Sequence, residues 1–193
     1  MYGSYRFIVH FLAILMAVLA GCTGEEYESV PVSIQKQPPY SYQGQIGRLW
    51  GGDNFEITEG GKLHYAFMRG IDTPEFGQQY HEESKEMLRQ LARNKPTTIH
   101  VIDRDEWKRE ICDVTIEHTE GEDPVDPALR LLENGLAWFD NSEGPYADSY
   151  ADAEAVAREK KVGIWSQPDP VPPWDFWEAN LRRMQESAYR KNR

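Results

Sequence analysis

A chain of 193 residues with 40% apolar and 12% aromatic content has enough material for one folded domain with a real core, plus tails. Its net charge is −11, and the acid sits centrally: 14 Lys/Arg face 25 Asp/Glu between Gly44 and Ser166. This excludes a protein that coats duplex nucleic acid through a broad basic face, but not an enzyme that grips phosphate through one or two arginines beside a cation.

The chain opens with Arg6 and a run from Phe7 to Ala20 that is apolar apart from His10. The run is shorter than the roughly 20 residues of a membrane span and long enough for a signal sequence. It ends Leu19-Ala20-Gly21-Cys22, which resembles the bacterial lipobox. Resemblance to lipoprotein precursors implies that residues 1–22 are a signal peptide and that Cys22 becomes a lipidated N-terminus. The protein is then expected on the bacterial cell envelope, membrane-anchored and facing periplasm or exterior. An uncleaved anchor or an ordinary secretory signal is the competing reading. Thr23, not Asp, follows the cysteine, so the common inner-membrane retention signal is missing. Residues 23–43 are polar, contain Pro31, Pro38 and Pro39, and read as a flexible tether.

Strands are expected at Gln45–Trp50, Phe55–Ile57 and Lys62–Ile71, separated by the turns Gly51-Gly52-Asp53-Asn54 and Glu59-Gly60-Gly61. Pro74 stops the third strand and biases Thr73 towards an extended conformation, so Asp72 and Glu75 project from a sharp strand exit. Taken alone, Asp53 and the Asp72–Glu75 stretch are ordinary turn chemistry. Tyr80–Arg93 carries Tyr80, Ser84, Met87, Leu88 and Leu91 on one stripe and reads as a helix packed on the core. Thr97–Asp103 and Ile111–Ile116 alternate as strands around a charged hairpin connection, and Arg109 re-enters the second of them.

Only Cys22 and Cys112 are present, so no disulfide framework follows, and Cys112 reads as a small core residue. The five histidines lack metal-ligand spacing, and no zinc site is expected. Asp126-Pro127 caps a short helix ended by Gly135, and Leu136–Phe139 is a core segment. Tyr146–Lys161 is a third helix, followed by Ile164-Trp165 and a proline-rich spacer at 167–174. Residues 175–193 form a basic tail, read as solubilising in preference to lipid- or nucleic-acid-binding.

The order Gly-Gly-Asp-Asn54, Arg69-Gly-Ile-Asp-Thr-Pro-Glu75, amphipathic helix, Trp107-Lys-Arg109, Asn134-Gly-Leu-Ala-Trp138 and Lys160-Lys-Val-Gly-Ile-Trp-Ser166 resembles the staphylococcal-nuclease-like family across residues 44–174. The resemblance implies an α+β fold, an OB-type five-stranded β-barrel with three α-helices, suited to single-stranded nucleic acid. It implies Ca2+ held by Asp53, Asp72 and the carbonyl of Thr73, with water completing the oxygen shell. It assigns Glu75 to the attacking water and Arg109 to the phosphate, with Trp107 and Lys108 facing substrate. The family's first arginine falls on Phe67, and Arg69, two residues on, is the expected substitute, displaced by about 6.6 Å along the strand. Gly51 and Asn54 stand where the family has Asp and Thr. The implied activity is calcium-dependent hydrolysis of DNA or RNA by a monomer. The alternative is a degenerate module that binds nucleic acid or an envelope protein without cleaving it.

Overall fold

The computed structural model describes residues 37–117, 123–141 and 144–191. The expected signal peptide, lipidated Cys22 and most of the tether lie outside the described residues.

Five strands close a barrel in the order β1 (Tyr40–Leu49), β2 (Asn54–Glu59), β3 (Lys62–Met68), β6 (Glu110–Ile116), β5 (Thr97–Arg104). Neighbours are antiparallel except β3 and β6, which run parallel from Ala66↔Glu110 to Met68↔Cys112. Alternation explains the closure. Phe55 and Ile57 on β2, Ile99 and Val101 on β5, and Cys112 and Ile116 on β6 are fully buried, while their strand neighbours face out. Each such side chain contributes roughly 1.5–3 kcal/mol on burial. Cys112 is a free, buried thiol, as its place between apolar strand residues indicates.

β1 begins at Tyr40, inside the stretch expected to be tether, so the domain starts upstream of residue 44. The cause is an internal acid. Tyr40 Oη donates to Glu110 Oε1 at 2.6 Å and Tyr42 Oη to Oε2 at 2.7 Å, while His64 Nδ1 lies 3.0 Å from Oε1. Burial alone raises the Glu110 pKa, but these bonds outweigh it and hold the carboxyl below its ordinary value. Two tyrosines at alternate positions therefore extend the strand.

The strand expected to run from Lys62 to Ile71 also differs. β3 stops at Met68, and Arg69-Gly70 turns the chain, with Gly70 at φ 85°, a conformation that favours glycine. The chain re-emerges as β4 (Ile71–Asp72), which pairs with β7 (Trp138–Phe139) through Ile71↔Phe139 and Asp72↔Trp138. This ribbon brings Asp140 to the strand exit, its N–H donating to the Gly70 carbonyl at 3.2 Å.

The three expected helices are present: α1 (His81–Ala92), α2 (Pro127–Glu133) and α3 (Ala147–Lys160). Asp126 Oδ1 accepts from the N–H groups of Ala128 (2.9 Å) and Leu129 (3.2 Å), and its Oδ2 accepts from Tyr150 Oη at 2.7 Å, tying α2 to α3. At Gly135 a Cβ would lie 2.3 Å from the Val162 carbonyl oxygen, so only glycine fits where α2 ends against the segment after α3. That segment is a single 3-10 turn, Gly163–Ser166, whose Trp165 packs edge-on to Trp138 with ring centroids 5.5 Å apart. A fourth helix, α4 (Pro173–Lys191), takes the place of the expected tail and begins within the proline-rich spacer.

Candidate active-site cleft

A cleft of about 960 Å³ opens where the Gly51–Asn54 turn, the β3–β4 exit and the β5–β6 hairpin meet. Its carboxylate wall is built by the first two. The turn is closed by the N–H groups of Trp50 and Gly51 on the Asn54 carbonyl, at 3.2 and 3.4 Å. Asp53, only 6% exposed, accepts from Thr73 Oγ1 at 2.7 Å, and that hydroxyl accepts from the Gly52 N–H at 3.1 Å. The turn and the strand exit are thus stitched together through Thr73. Proline after Thr73 leaves it extended, which points its hydroxyl back to the turn.

This wall carries more negative charge than it can comfortably hold. Burial pushes the Asp53 carboxyl up to about 6, against the Thr73 bond, with the Glu75 charge adding to the rise. Burial, then the charges of Asp53, Glu75 and Asp140, push Asp72 to about 7. Glu75 is half-buried and also raised, by burial, with His81 opposing. Its backbone N–H donates to Gln78 Oε1 at 2.7 Å, and Gln78 Nε2 reaches the Val171 carbonyl at 3.0 Å. His81 Nδ1 donates to the Pro74 carbonyl at 2.7 Å, which fixes the loop on the start of α1.

The hairpin contributes Asp103, Asp105, Trp107 and Arg109 to the same lining. Asp105 Oδ1 accepts from the N–H groups of Trp107 (3.0 Å) and Arg109 (2.9 Å), and its Oδ2 accepts from Arg109 Nε. The Arg109 guanidinium lies 4.2 Å from the Phe67 ring centroid and 4.8 Å from that of Trp107. Phe67 is therefore more than a missing arginine: its ring supports the arginine that remains.

Asp53, Asp72, Thr73, Glu75, Trp107 and Arg109 all line this one cleft. Two expected residues do not serve it in the anticipated way. Arg69 borders the cleft, but its fork is held by Asp113, with Nε to Oδ1 at 3.0 Å and Nη2 to Oδ2 at 2.7 Å. Its guanidinium also packs on Gly144, where a Cβ would lie 3.1 Å from Cζ. The alternation that placed it beside Phe67 fails because β3 ends at Met68. Lys108 is exposed at the hairpin tip with φ 67° and lies outside the cleft lining. Sequence reasoning missed Asp140, Asp105 and Gln78. Asp140 directly follows the apolar Leu136–Phe139 run, and Asp105 stands four residues before Arg109 in the hairpin; both were visible signals.

Whether the carboxylate wall fits a cation is decided by its donors. Among the described residues no three His, Cys, Asp or Glu side chains form a ready-made metal cage. Asp53 Oδ1, Asn54 Oδ1 and Thr73 Oγ1 each lie 3.0 to 3.2 Å from where a Cβ on Gly51 would stand. Asn54 Oδ1 is a buried acceptor with no hydrogen-bond donor among the described residues. Hard oxygen donors, mutually raised carboxyls and an orphan acceptor suit a hard cation whose remaining ligands are carbonyls and water. The residues fit such an ion.

An OB-type barrel with an acidic, oxygen-rich wall facing an aromatic-supported arginine defines a nuclease-like class of domain. The family model described as "Staphylococcal nuclease homologue" matches residues 66–167, just over half of the chain, and the chain belongs to that family. The matched segment takes in Asp72, Thr73, Glu75 and Arg109 and starts downstream of Asp53. The chain is 37% identical over 117 residues to the probable staphylococcal-like nuclease CAN4 of Oryza sativa subsp. japonica, covering 60% of this chain and 22% of that protein. It thus spans about a fifth of that relative's length. It is 29% identical over 136 residues to an uncharacterized endonuclease of Escherichia coli O157:H7, covering 68% of this chain and 82% of the relative. Protein ParB of Escherichia coli is 27% identical over 146 residues, covering 73% and 82%.

Proposed function

We propose that this protein is a calcium-dependent nuclease that hydrolyses phosphodiester bonds of single-stranded DNA or RNA, as a monomer tethered through Cys22 to the cell envelope. The observation that carries the catalytic part is that Glu75 lines one cleft together with Asp53, Asp72 and Arg109. Asp53, Asp72 and the neighbouring oxygens would hold Ca2+, which when bound polarises the phosphate and neutralises charge that builds on it. Glu75 takes the proton of a water whose oxygen bonds to phosphorus as the P–O bond to the leaving sugar breaks; its raised pKa suits a base. Arg109, gripped on one edge by Asp105, presents the rest of its fork to the phosphate oxygens. Trp107, 67% exposed beside it, offers a ring to a base. A site that reads phosphate in this way has little means of distinguishing DNA from RNA.

One observation favours the second reading, a module that binds without cleaving: of the two arginines that line the cleft among the described residues, Arg69 is committed to Asp113, and Phe67 occupies the other family position. Cleavage of denatured DNA and of RNA by the full chain, in calcium and in chelator, separates the two. Under the nuclease reading Glu75→Gln lowers turnover by about 10²–10⁴-fold while oligonucleotide affinity holds. A folded parent chain that gives no calcium-dependent product and still binds the oligonucleotide establishes the binding module instead.

A further inference from the structure

Trp50 and Tyr65 have no part in the reading above, and both are aromatic side chains left in water. Along β3, His64, Ala66 and Met68 point into the barrel, while Leu63, Tyr65 and Phe67 point out. Trp50, at the end of β1, lays its ring against Tyr65, with centroids 5.7 Å apart and planes tilted by 33°. The two are 43% and 47% exposed, so the pair presents a broad apolar face to solvent. Burying either ring in a core would contribute roughly 1.5–3 kcal/mol, so leaving both out is a cost that folding does not explain.

The position of the pair indicates its ligand. Trp50 and Phe67 both line the cleft, and Phe67 carries the Arg109 guanidinium on its face. Tyr65 stands two residues before Phe67 on the same strand face, displaced by about 6.6 Å along the strand. Arg109, Phe67 and Trp50 thus line one cleft, with Tyr65 against Trp50 at its margin. Arg48 is exposed two residues before Trp50 on β1, and the half-buried Glu56 of β2 pairs with Tyr65.

We propose that Trp50 and Tyr65 form a stacking subsite for an unpaired nucleobase, one step along the chain from the phosphate held by Arg109. The inference rests on the nuclease-site reading for the position of that phosphate. An unpaired base offers a free π-face of any sequence, which two exposed rings next to a phosphate site can cover. Bases locked in a duplex have no such face to offer. The subsite thus supplies preference for single strands without sequence readout.

The test is binding by the full chain carrying Glu75→Gln, in calcium. The probes are an oligothymidylate of about eight nucleotides, the reach of one OB-type domain, and an abasic chain with the same phosphates. The measured quantity is the ratio of the two affinities. Trp50→Ala with Tyr65→Ala is expected to cut that ratio by about 5- to 150-fold, equivalent to the roughly 1–3 kcal/mol of one stacked base. Trp50→Phe with Tyr65→Phe keeps most of it, which separates stacking from damage to the barrel. An unchanged ratio in the alanine variant overturns the proposal, as does a parent chain that binds both probes equally. Cleavage by the chain with Glu75 intact is scored separately. Cleavage with an unchanged ratio sinks the subsite alone, whereas a ring-dependent ratio without cleavage sinks the nuclease and keeps the subsite.

Discussion

Phe67→Arg places an arginine where the family resemblance puts one, and the structure sets both its cost and its benefit. The Phe67 ring now lies 4.2 Å from the Arg109 guanidinium, so the substitution removes a cation–π contact of about 0.5–1 kcal/mol. It also sets two guanidiniums roughly 5 Å apart, a repulsion of about 1–3 kcal/mol at effective dielectrics between those of water and a protein surface. Asp103 and Asp105 in the same cleft offset part of this. A net loss of about 1–3 kcal/mol corresponds to a melting point lower by about 2–12 °C for a chain of this size. With a phosphodiester bound, the balance reverses. A second charge-assisted grip on the phosphate contributes about 1.5–3 kcal/mol, or a gain in kcat/KM of about 10- to 150-fold. The assay pairs kcat/KM on denatured DNA with thermal melting of the same preparation. A folded Phe67→Arg protein whose kcat/KM is unchanged or lower would refute this reasoning. It would mean that the ring's support of Arg109 matters more than a second positive charge.

Arg69→Ala should act on stability. It strands Asp113, whose side chain is 15% exposed, and is expected to cost about 1–3 kcal/mol in thermal or urea unfolding while kcat/KM stays within about threefold. A loss of kcat/KM of about a hundredfold at unchanged stability would return Arg69 to the phosphate. The carboxylate wall predicts a pH dependence of the cation-free protein. Asp53 and Asp72, raised to about 6 and about 7, keep protons that the unfolded chain has already released. Their stabilising contribution is therefore complete below pH 3.8 and is lost as pH rises through 6 to 7. In chelator the melting point should be higher at about pH 5.5 than at about pH 7.5, with the difference reduced by Asp72→Asn. Calcium at about a hundred times its Kd should restore about 2.7 kcal/mol at the higher pH, and the lack of any calcium-dependent shift would remove the cation site.

The barrel was legible because its signals are local. Glycine-rich turns and alternating strands identify β2, β3, β5 and β6, and the caps at Asp126 and Gly135 bound α2. What escaped depends on partners distant in sequence. Tyr40 and Tyr42 look like tether until Glu110, some 70 residues on, is seen to accept both hydroxyls. Asp140 looks like the end of a core segment until the β4–β7 pairing sets it near Asp72. In each case the residue type was visible and the neighbour that gives it meaning was not.

Position 67 shows how this affects function. Aligned by spacing alone, a phenylalanine in place of a phosphate-binding arginine reads as a loss, and the next arginine reads as its replacement. The structure separates identity from company. Arg69 keeps the charge but is held by Asp113, whereas Phe67 has no charge and still acts on the cleft through Arg109. The guanidinium it supports is held at three places: by Asp105 on one edge and by the rings of Phe67 and Trp107. An arginine so confined loses little side-chain freedom when phosphate arrives, and that freedom costs about 1.5–2 kcal/mol to remove from a mobile side chain. A single preorganised arginine can therefore recover part of what a second, flexible one would supply. On this argument Phe67→Leu, which keeps the bulk and removes the ring, should weaken phosphate binding even though it deletes no charge, and a Phe67→Leu protein with unaltered kcat/KM would show that the ring confines nothing.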